Sequence, residues 1–258
     1  MSEIKTFPSK SKGRQDSSPI PWLAGGLAFL GLLLVGVFVA QLPAAASLGT
    51  ALRLVFATDS AQTMWYITRA AGLTSYLLLW LSVAWGMAVS SKILDTLLHR
   101  SFTYDFHEFL SLAAIGFIAL HMIVLMFDGY MPYNVAQLLV PFLSPYRPVW
   151  VGIGAIGLYL TLLVTVTFYL RGRIGMKAFR TIHILSLAAY LGVTVHGLMS
   201  GADSSLPAVL VMYAGTFLVV VFLTAYWIFL VAQKGKAKKS IPAPAPAAAV
   251  NRQVSTRF

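Results

Sequence analysis

The sequence predicts an all-α membrane protein built as a bundle of six transmembrane helices. Of its 258 residues, 58% are hydrophobic and only 10% are charged. Apolar runs of about 20 residues, the length at which a helix crosses a bilayer, recur along the chain. Polar or proline-rich stretches separate these runs, so little sequence remains for a soluble domain.

Six apolar runs form the predicted transmembrane domain, residues 21–232. The spans lie at about 21–42, 63–89, 102–127, 149–170, 178–199 and 206–231. Ala44, Ala45 and Ala46 follow the first span and resemble a signal-peptide cleavage site. The apolar core of that span is longer than a signal peptide requires, so we interpret it as a retained helix. Four prolines in the stretch 128–148 argue against a continuous helix there.

The two ends of the chain differ in composition from the spans. Residues 1–20 are polar and basic, and we expect them to form a disordered cytoplasmic tail. Residues 233–258 form a second basic tail that contains the low-complexity segment IPAPAPAAAV, and we expect it to be disordered too.

The basic residues indicate the orientation in the membrane. Sixteen of the 19 Lys and Arg residues fall in the two tails and in the loops after the second and fourth spans. Because basic loops stay in the cytoplasm, the bias predicts a multi-pass protein of the cell membrane with both termini cytoplasmic. The net charge of +11 therefore indicates topology and attraction to anionic lipid, and we do not expect a nucleic-acid partner.

Some classes of chemistry are excluded by the composition. The chain has no cysteine, which rules out disulfides, thiol chemistry and iron–sulfur ligation. No glycine-rich nucleotide-binding motif stands in a strand–turn–helix context. Gly152, Gly154 and Gly157 lie inside an apolar span instead, where small residues let helices approach closely.

Four of the five histidines lie in two apolar runs. His107 and His121 are 14 residues apart in the third span, and His183 and His196 are 13 apart in the fifth. The third and fifth spans run parallel because one span separates them. His107 and His183 therefore match in depth near the cytoplasmic face, and His121 and His196 match near the outer face.

Paired imidazoles are common axial ligands of haem iron, so two depth-matched pairs predict two stacked haems. Packing histidines or a proton relay, in a haem-free transporter or proton-relay protein, are the alternative. A metal transport path would need nearby carboxylates, and Asp105 and Glu108 lie only at the inner end.

His99, the fifth histidine, lies in the polar loop between the second and third spans, where we expect it to be solvated.

The two spacings place the side chains differently around each helix. At about 100° per residue, a step of 14 leaves two side chains about 40° apart, and a step of 13 leaves them about 140° apart. The fifth span must then either rotate locally or offer its two ligands to differently placed haems. Gly192 lies between the two histidines and would permit a local distortion.

Arg69, like the four histidines, is a polar residue whose position within a span carries a free-energy cost. It lies in the outer third of the second span, level with His121 and His196. A buried cation requires an anion, and a haem propionate is the candidate partner. The alternative is that the side chain reaches the outer surface.

The chain resembles the ferric reductase-like transmembrane domain, the six-helix haem b unit shared with NADPH oxidases and metalloreductases. Four stretches resemble the bacterial stand-alone members: TRAAGLTSYLLLWLSVAWG (68–86), HEFLSLAAIGFIALH (107–121), LVPFLSPYRP (139–148) and HGLMSGADS (196–204). The resemblance covers about residues 60–232. It implies that His107 and His183 bind an inner haem b, that His121 and His196 bind an outer one, and that electrons cross the membrane.

NADPH oxidases continue into a cytosolic flavin and nicotinamide domain, whereas here a basic tail follows the sixth span. The resemblance therefore implies an oxidoreductase membrane subunit whose electrons come from a separate flavoprotein, a bound flavin or membrane quinol. The electron acceptor would lie on the outer side of the membrane. The arrangement is similar to the haem-bearing membrane subunit that feeds a bacterial periplasmic methionine sulfoxide reductase. A quinol-linked cytochrome b subunit is the alternative within redox chemistry.

Overall fold

The computed structural model describes residues 61–239 and a few positions between 30 and 43. In this part of the chain the structure is helical, without strands. The helices are α1 (Ala61–Ser90), α2 (Arg100–Leu125), α3 (Val135–Leu139), α4 (Pro148–Ile174), α5 (Met176–His183), α6 (Leu185–Ser200) and α7 (Pro207–Lys239).

Five segments of the described chain are long and apolar enough to cross a membrane. They are Thr63–Ser90, Arg100–Leu125, Pro148–Ile174, Met176–Ser200 and Pro207–Gln233. These segments confirm the second to sixth predicted spans. The predicted first span falls outside the described residues except for isolated positions, as does the predicted N-terminal tail.

The sixth span continues further than expected. Helix α7 extends to Lys239, so the first basic residues of the expected C-terminal tail are helical. The remainder of that tail lies outside the described residues.

The fifth span is two helices rather than one. Helix α5 ends at His183 and α6 begins at Leu185, with Ile184 as the junction. The Leu187 N–H donates to the Ile184 carbonyl at 3.1 Å, a three-residue separation typical of a tighter turn. The helix is therefore interrupted at Ile184, whereas the predicted site of distortion, Gly192, lies within α6.

The stretch between α2 and α4 is an ordered loop around the short helix α3. Asn134 and Gln137 form a reciprocal capping box at the start of α3, with side chain to backbone distances of 2.9 and 3.0 Å. Pro148 occupies the first turn of α4, where its missing N–H costs nothing. The predicted absence of a continuous helix in this stretch is confirmed.

The main helix contacts pair α1 with α2 and α4 with α6, and α1 also contacts α6 and α7. A buried cluster of Tyr76, Tyr190 and Tyr213 lies where α1, α6 and α7 meet. The Tyr76 hydroxyl forms hydrogen bonds to Thr216 Oγ1 at 2.6 Å and to the Tyr190 hydroxyl at 3.2 Å. Tyr190 follows His183 and precedes His196, so this core lies between the two histidine levels.

Large apolar side chains are also abundant on the outside of the bundle. Phe109, Val211 and Phe222 are each more than 60% exposed. Such an exterior is stable against lipid tails, which are as apolar as the side chains themselves.

Candidate functional site

His121 of α2 and His196 of α6 line one cavity. The cavity has a volume of about 410 Å³, within the size range of small-molecule and cofactor sites. Ile118, Met122 and Val193 are among its apolar lining residues. The cavity therefore joins the two histidines that the sequence places at the outer level.

Both outer imidazoles are held by backbone carbonyls of neighbouring helices. His121 Nδ1 lies 2.9 Å from the Thr68 carbonyl oxygen, and His196 Nδ1 lies 3.0 Å from the Trp150 carbonyl oxygen. A carbonyl only accepts hydrogen bonds, so Nδ1 must carry the proton in each ring. Each neutral ring then has its lone pair on Nε2, the atom available to a metal.

The inner histidines also lie together. The ring centroids of His107 and His183 are 6.0 Å apart, with an angle of 73° between the ring planes. That separation is ordinary for an aromatic contact. It is also roughly what two metal–imidazole bonds of about 2 Å on opposite sides of one ion would give.

The surroundings of the two inner rings differ. His107 Nδ1 lies 3.4 Å from Ser82 Oγ, which forms a 2.8 Å hydrogen bond with Ser111 Oγ. Phe179 packs against His183 with ring centroids 5.2 Å apart. His183 Nδ1 is buried without a hydrogen-bond partner in the described part of the chain.

This donor set fits haem iron better than a bare metal ion. Within residues 61–239 no three His, Asp or Glu side chains come together as a metal site would require. A haem needs only two axial ligands from the protein, because the porphyrin supplies the other four. Two pairs of neutral imidazoles at two levels meet that requirement.

Arg69 forms an ion pair with Asp203, which lies in the loop between α6 and α7. Its guanidinium also lies 3.9 Å from the centroid of the Trp65 ring, a cation–π contact. Both Arg69 and Asp203 line the outer cavity. The sequence reasoning missed Asp203 as the anion, and a propionate contact of Arg69 stays a prediction.

The loop around α3 supplies further residues of the outer cavity. Asp128, Tyr133 and Tyr146 all line it. The buried Asp128 carboxylate accepts hydrogen bonds from the backbone N–H groups of Tyr130 and Met131 at 2.8 and 3.1 Å. Burial raises the pKa of the Tyr133 phenol.

His99 stands apart from both pairs. It is the N-cap residue of α2, makes no capping hydrogen bond with its side chain and is exposed. The structure is therefore consistent with the solvated role expected from its polar loop.

A comparison with protein families relates part of this chain to a known membrane family. Residues 71–194 match the family model described as "Ferric reductase like transmembrane component". This segment contains His107, His121 and His183 and ends two residues before His196. No curated protein and no solved structure matched the chain.

Proposed function

We infer that this chain, whose residues 71–194 belong to the ferric reductase-like transmembrane family, transfers electrons across a membrane through two haems b. The observation that carries the inference is the arrangement of four histidines in two pairs: the rings of His107 and His183 are in contact, and His121 and His196 line one cavity. Membership of the family supports an oxidoreductase membrane subunit, and the paired imidazoles support haem as its cofactor.

Within the proposed sites the protein binds and orients. His121 and His196 would hold the outer haem through Nε2, with Nδ1 retained by backbone carbonyls. His107 and His183 would hold the inner haem. When bound, the haems supply one-electron redox chemistry. The apolar side chains around the cavity would contact the porphyrin, and Arg69 is the candidate partner of an outer propionate.

The two histidine levels lie near opposite faces of the bilayer. His107 and His121 are separated by 14 residues of one continuous helix, which corresponds to roughly 20 Å at about 1.5 Å per residue. That distance is a large part of a hydrocarbon core of about 30 Å. One haem near each face would therefore connect a cytoplasmic-side donor, a flavoprotein or quinol, with an acceptor outside the cell.

The haem content of the purified protein tests this proposal. We expect a pyridine haemochrome assay to give two haems b per chain, and the reduced protein to show haem b absorption bands. His99→Ala is the matched control, because it removes a histidine outside the two pairs and should leave both haems. A folded protein that is colourless after expression with ample haem would refute the proposal and favour the haem-free alternative.

A further inference from the structure

Three of the four paired histidines lie against a glycine of the neighbouring helix. His121 contacts Gly72 and His107 contacts Gly86, both on α1, whereas His196 contacts Gly154 on α4. A Cβ atom built on Gly154 would lie 2.6 Å from His196 Nδ1. On Gly72 it would lie 3.1 Å from His121 Nδ1.

These distances leave no room for a larger residue without moving the ring. Separations below 3.0 Å are essentially never adopted by a real Cβ, and 3.1 Å is tighter than nine in ten such contacts, so the ring must shift by a few tenths of an ångström. The missing Cβ atoms of Gly72 and Gly154 thus create recesses, and each recess admits the Nδ1 edge of an imidazole to the helix backbone.

The hydrogen bonds explain what the recesses achieve. The acceptor for His121 is the carbonyl of Thr68, four residues before Gly72, and the acceptor for His196 is the carbonyl of Trp150, four residues before Gly154. These carbonyls lie one helical turn before their glycines, on the same helix face. A methyl group at either glycine would crowd the ring that makes this hydrogen bond.

The same spacing recurs at the inner level, although less tightly. Ser82 precedes Gly86 by four residues, and its hydroxyl is 3.4 Å from His107 Nδ1. A Cβ on Gly86 would lie 3.0 Å from His107 Cε1, with Nδ1 further away at 3.6 Å. A hydroxyl can donate or accept, so this contact fixes the tautomer of His107 less firmly than a carbonyl would.

We propose that Gly72, Gly86 and Gly154 are positioning residues for the haem-ligating histidines. Each glycine opens a recess in which an imidazole packs against the preceding helical turn. At Gly72 and Gly154 the recess also directs Nδ1 toward the backbone and leaves Nε2 for the iron. Among the glycines that the structure describes, none forms such a recess for His183, which makes it the least restrained ligand of the four. The inference rests on the proposed function, because it assumes that the histidines bind haem.

Glycine-to-alanine variants test the proposal. Partners that orient a metal-ligating histidine typically contribute 10- to 100-fold to metal affinity. We therefore expect Gly154→Ala and Gly72→Ala to weaken retention of the outer haem by about 10- to 100-fold, with the larger effect at Gly154. The haem-to-chain ratio should fall from two toward one. Gly86→Ala should affect the inner haem and have the smallest effect.

The electron paramagnetic resonance (EPR) spectrum of the oxidised protein gives a second measurement. Each variant should shift or remove the low-spin ferric signal of one haem and leave the signal of the other. Gly72→Ala and Gly154→Ala should affect the signal that His121→Ala and His196→Ala remove. Gly86→Ala should affect the signal that His107→Ala removes.

Two control variants separate ligand positioning from general helix packing. Gly116→Ala places a methyl group in open space. Gly152→Ala, on the same helix as Gly154, places one against Phe142, which does not line the outer cavity, and no histidine is among its nearest contacts. Gly116→Ala should change nothing. Gly152→Ala should lower thermal stability while both haem signals remain.

The outcomes distinguish this inference from the proposed function. A wild-type protein without haem would refute the proposed function itself. A wild-type protein with two haems, together with Gly72→Ala and Gly86→Ala spectra identical to those of Gly116→Ala, would refute only the role of the glycines. If Gly154→Ala yields no folded protein by size-exclusion chromatography, the two milder variants decide the question.

Discussion

The ion pair between Arg69 and Asp203 leads to a quantitative stability prediction. Two unit charges about 4 Å apart attract each other by about 4 kcal/mol at an effective dielectric constant of 20. The cost of removing the charges from water offsets part of that attraction. The side chains are 24% and 15% exposed, so some solvent screening remains. We expect a coupling energy of about 2 kcal/mol between them.

Single substitutions should have unequal effects. Asp203→Asn leaves the Arg69 guanidinium within a span without its anion, and should lower the free energy of unfolding by about 2–3 kcal/mol. Arg69→Gln leaves Asp203 in a loop, where the carboxylate can turn toward water, and should cost about 1–2 kcal/mol. The double variant should lose about 2 kcal/mol less than the sum of the two single losses.

The assay is reversible unfolding in mixed micelles with increasing dodecyl sulfate, analysed as a double-mutant cycle. The exposed pair of Asp95 and Arg100, 3.9 Å apart, provides the control. Asp95→Asn should change the free energy of unfolding by less than about 0.5 kcal/mol. An additive cycle, or an Asp203→Asn loss no larger than that of Asp95→Asn, would refute the reasoning. If a propionate also neutralises Arg69, the coupling should be smaller in haem-loaded protein than in haem-free protein.

Two further predictions concern the pairing and the orientation. His121→Ala and His196→Ala should remove the same spectral component, and His107→Ala and His183→Ala the other, because the partners share a level. Loss of one component from both His107→Ala and His196→Ala would contradict this pairing, provided that each variant is shown to be folded. Epitope tags at both termini should be inaccessible from outside intact cells, as the bias of basic residues predicts. An external tag at the C-terminus would reverse the proposed direction of electron flow.

The transmembrane helices are predictable from the sequence because the bilayer imposes both their length and their composition. Every described span lies within a few residues of its predicted bounds. The end of α7 at Lys239 was missed because hydropathy reports where a helix leaves the hydrocarbon region. A basic segment can continue as helix beyond that point, since Lys is a good helix former.

The partners of the histidines were harder to predict because they come from other helices. Gly72 and Gly86 are 14 residues apart on α1, the same spacing as His107 and His121 on the adjacent α2. Comparing the two spacings on neighbouring antiparallel spans could have suggested the contacts. Asp203 carried no comparable signal, since a single carboxylate in a short loop is usually solvated.

The depth of each histidine follows from sequence, whereas its direction around the helix does not. Depth is a count of residues multiplied by a nearly constant rise, so one irregular turn changes it very little. Direction accumulates about 100° per residue, so one irregular turn changes it for every residue beyond. The junction at Ile184 is such a turn. Because of it, the direction of the His183 side chain cannot be calculated from the helical positions of the residues in α6. The calculated 140° between His183 and His196 therefore does not apply, because it assumed one continuous helix. For His121 and His196 the direction is set instead by the neighbouring helix, through hydrogen bonds to its backbone carbonyls beside Gly72 and Gly154.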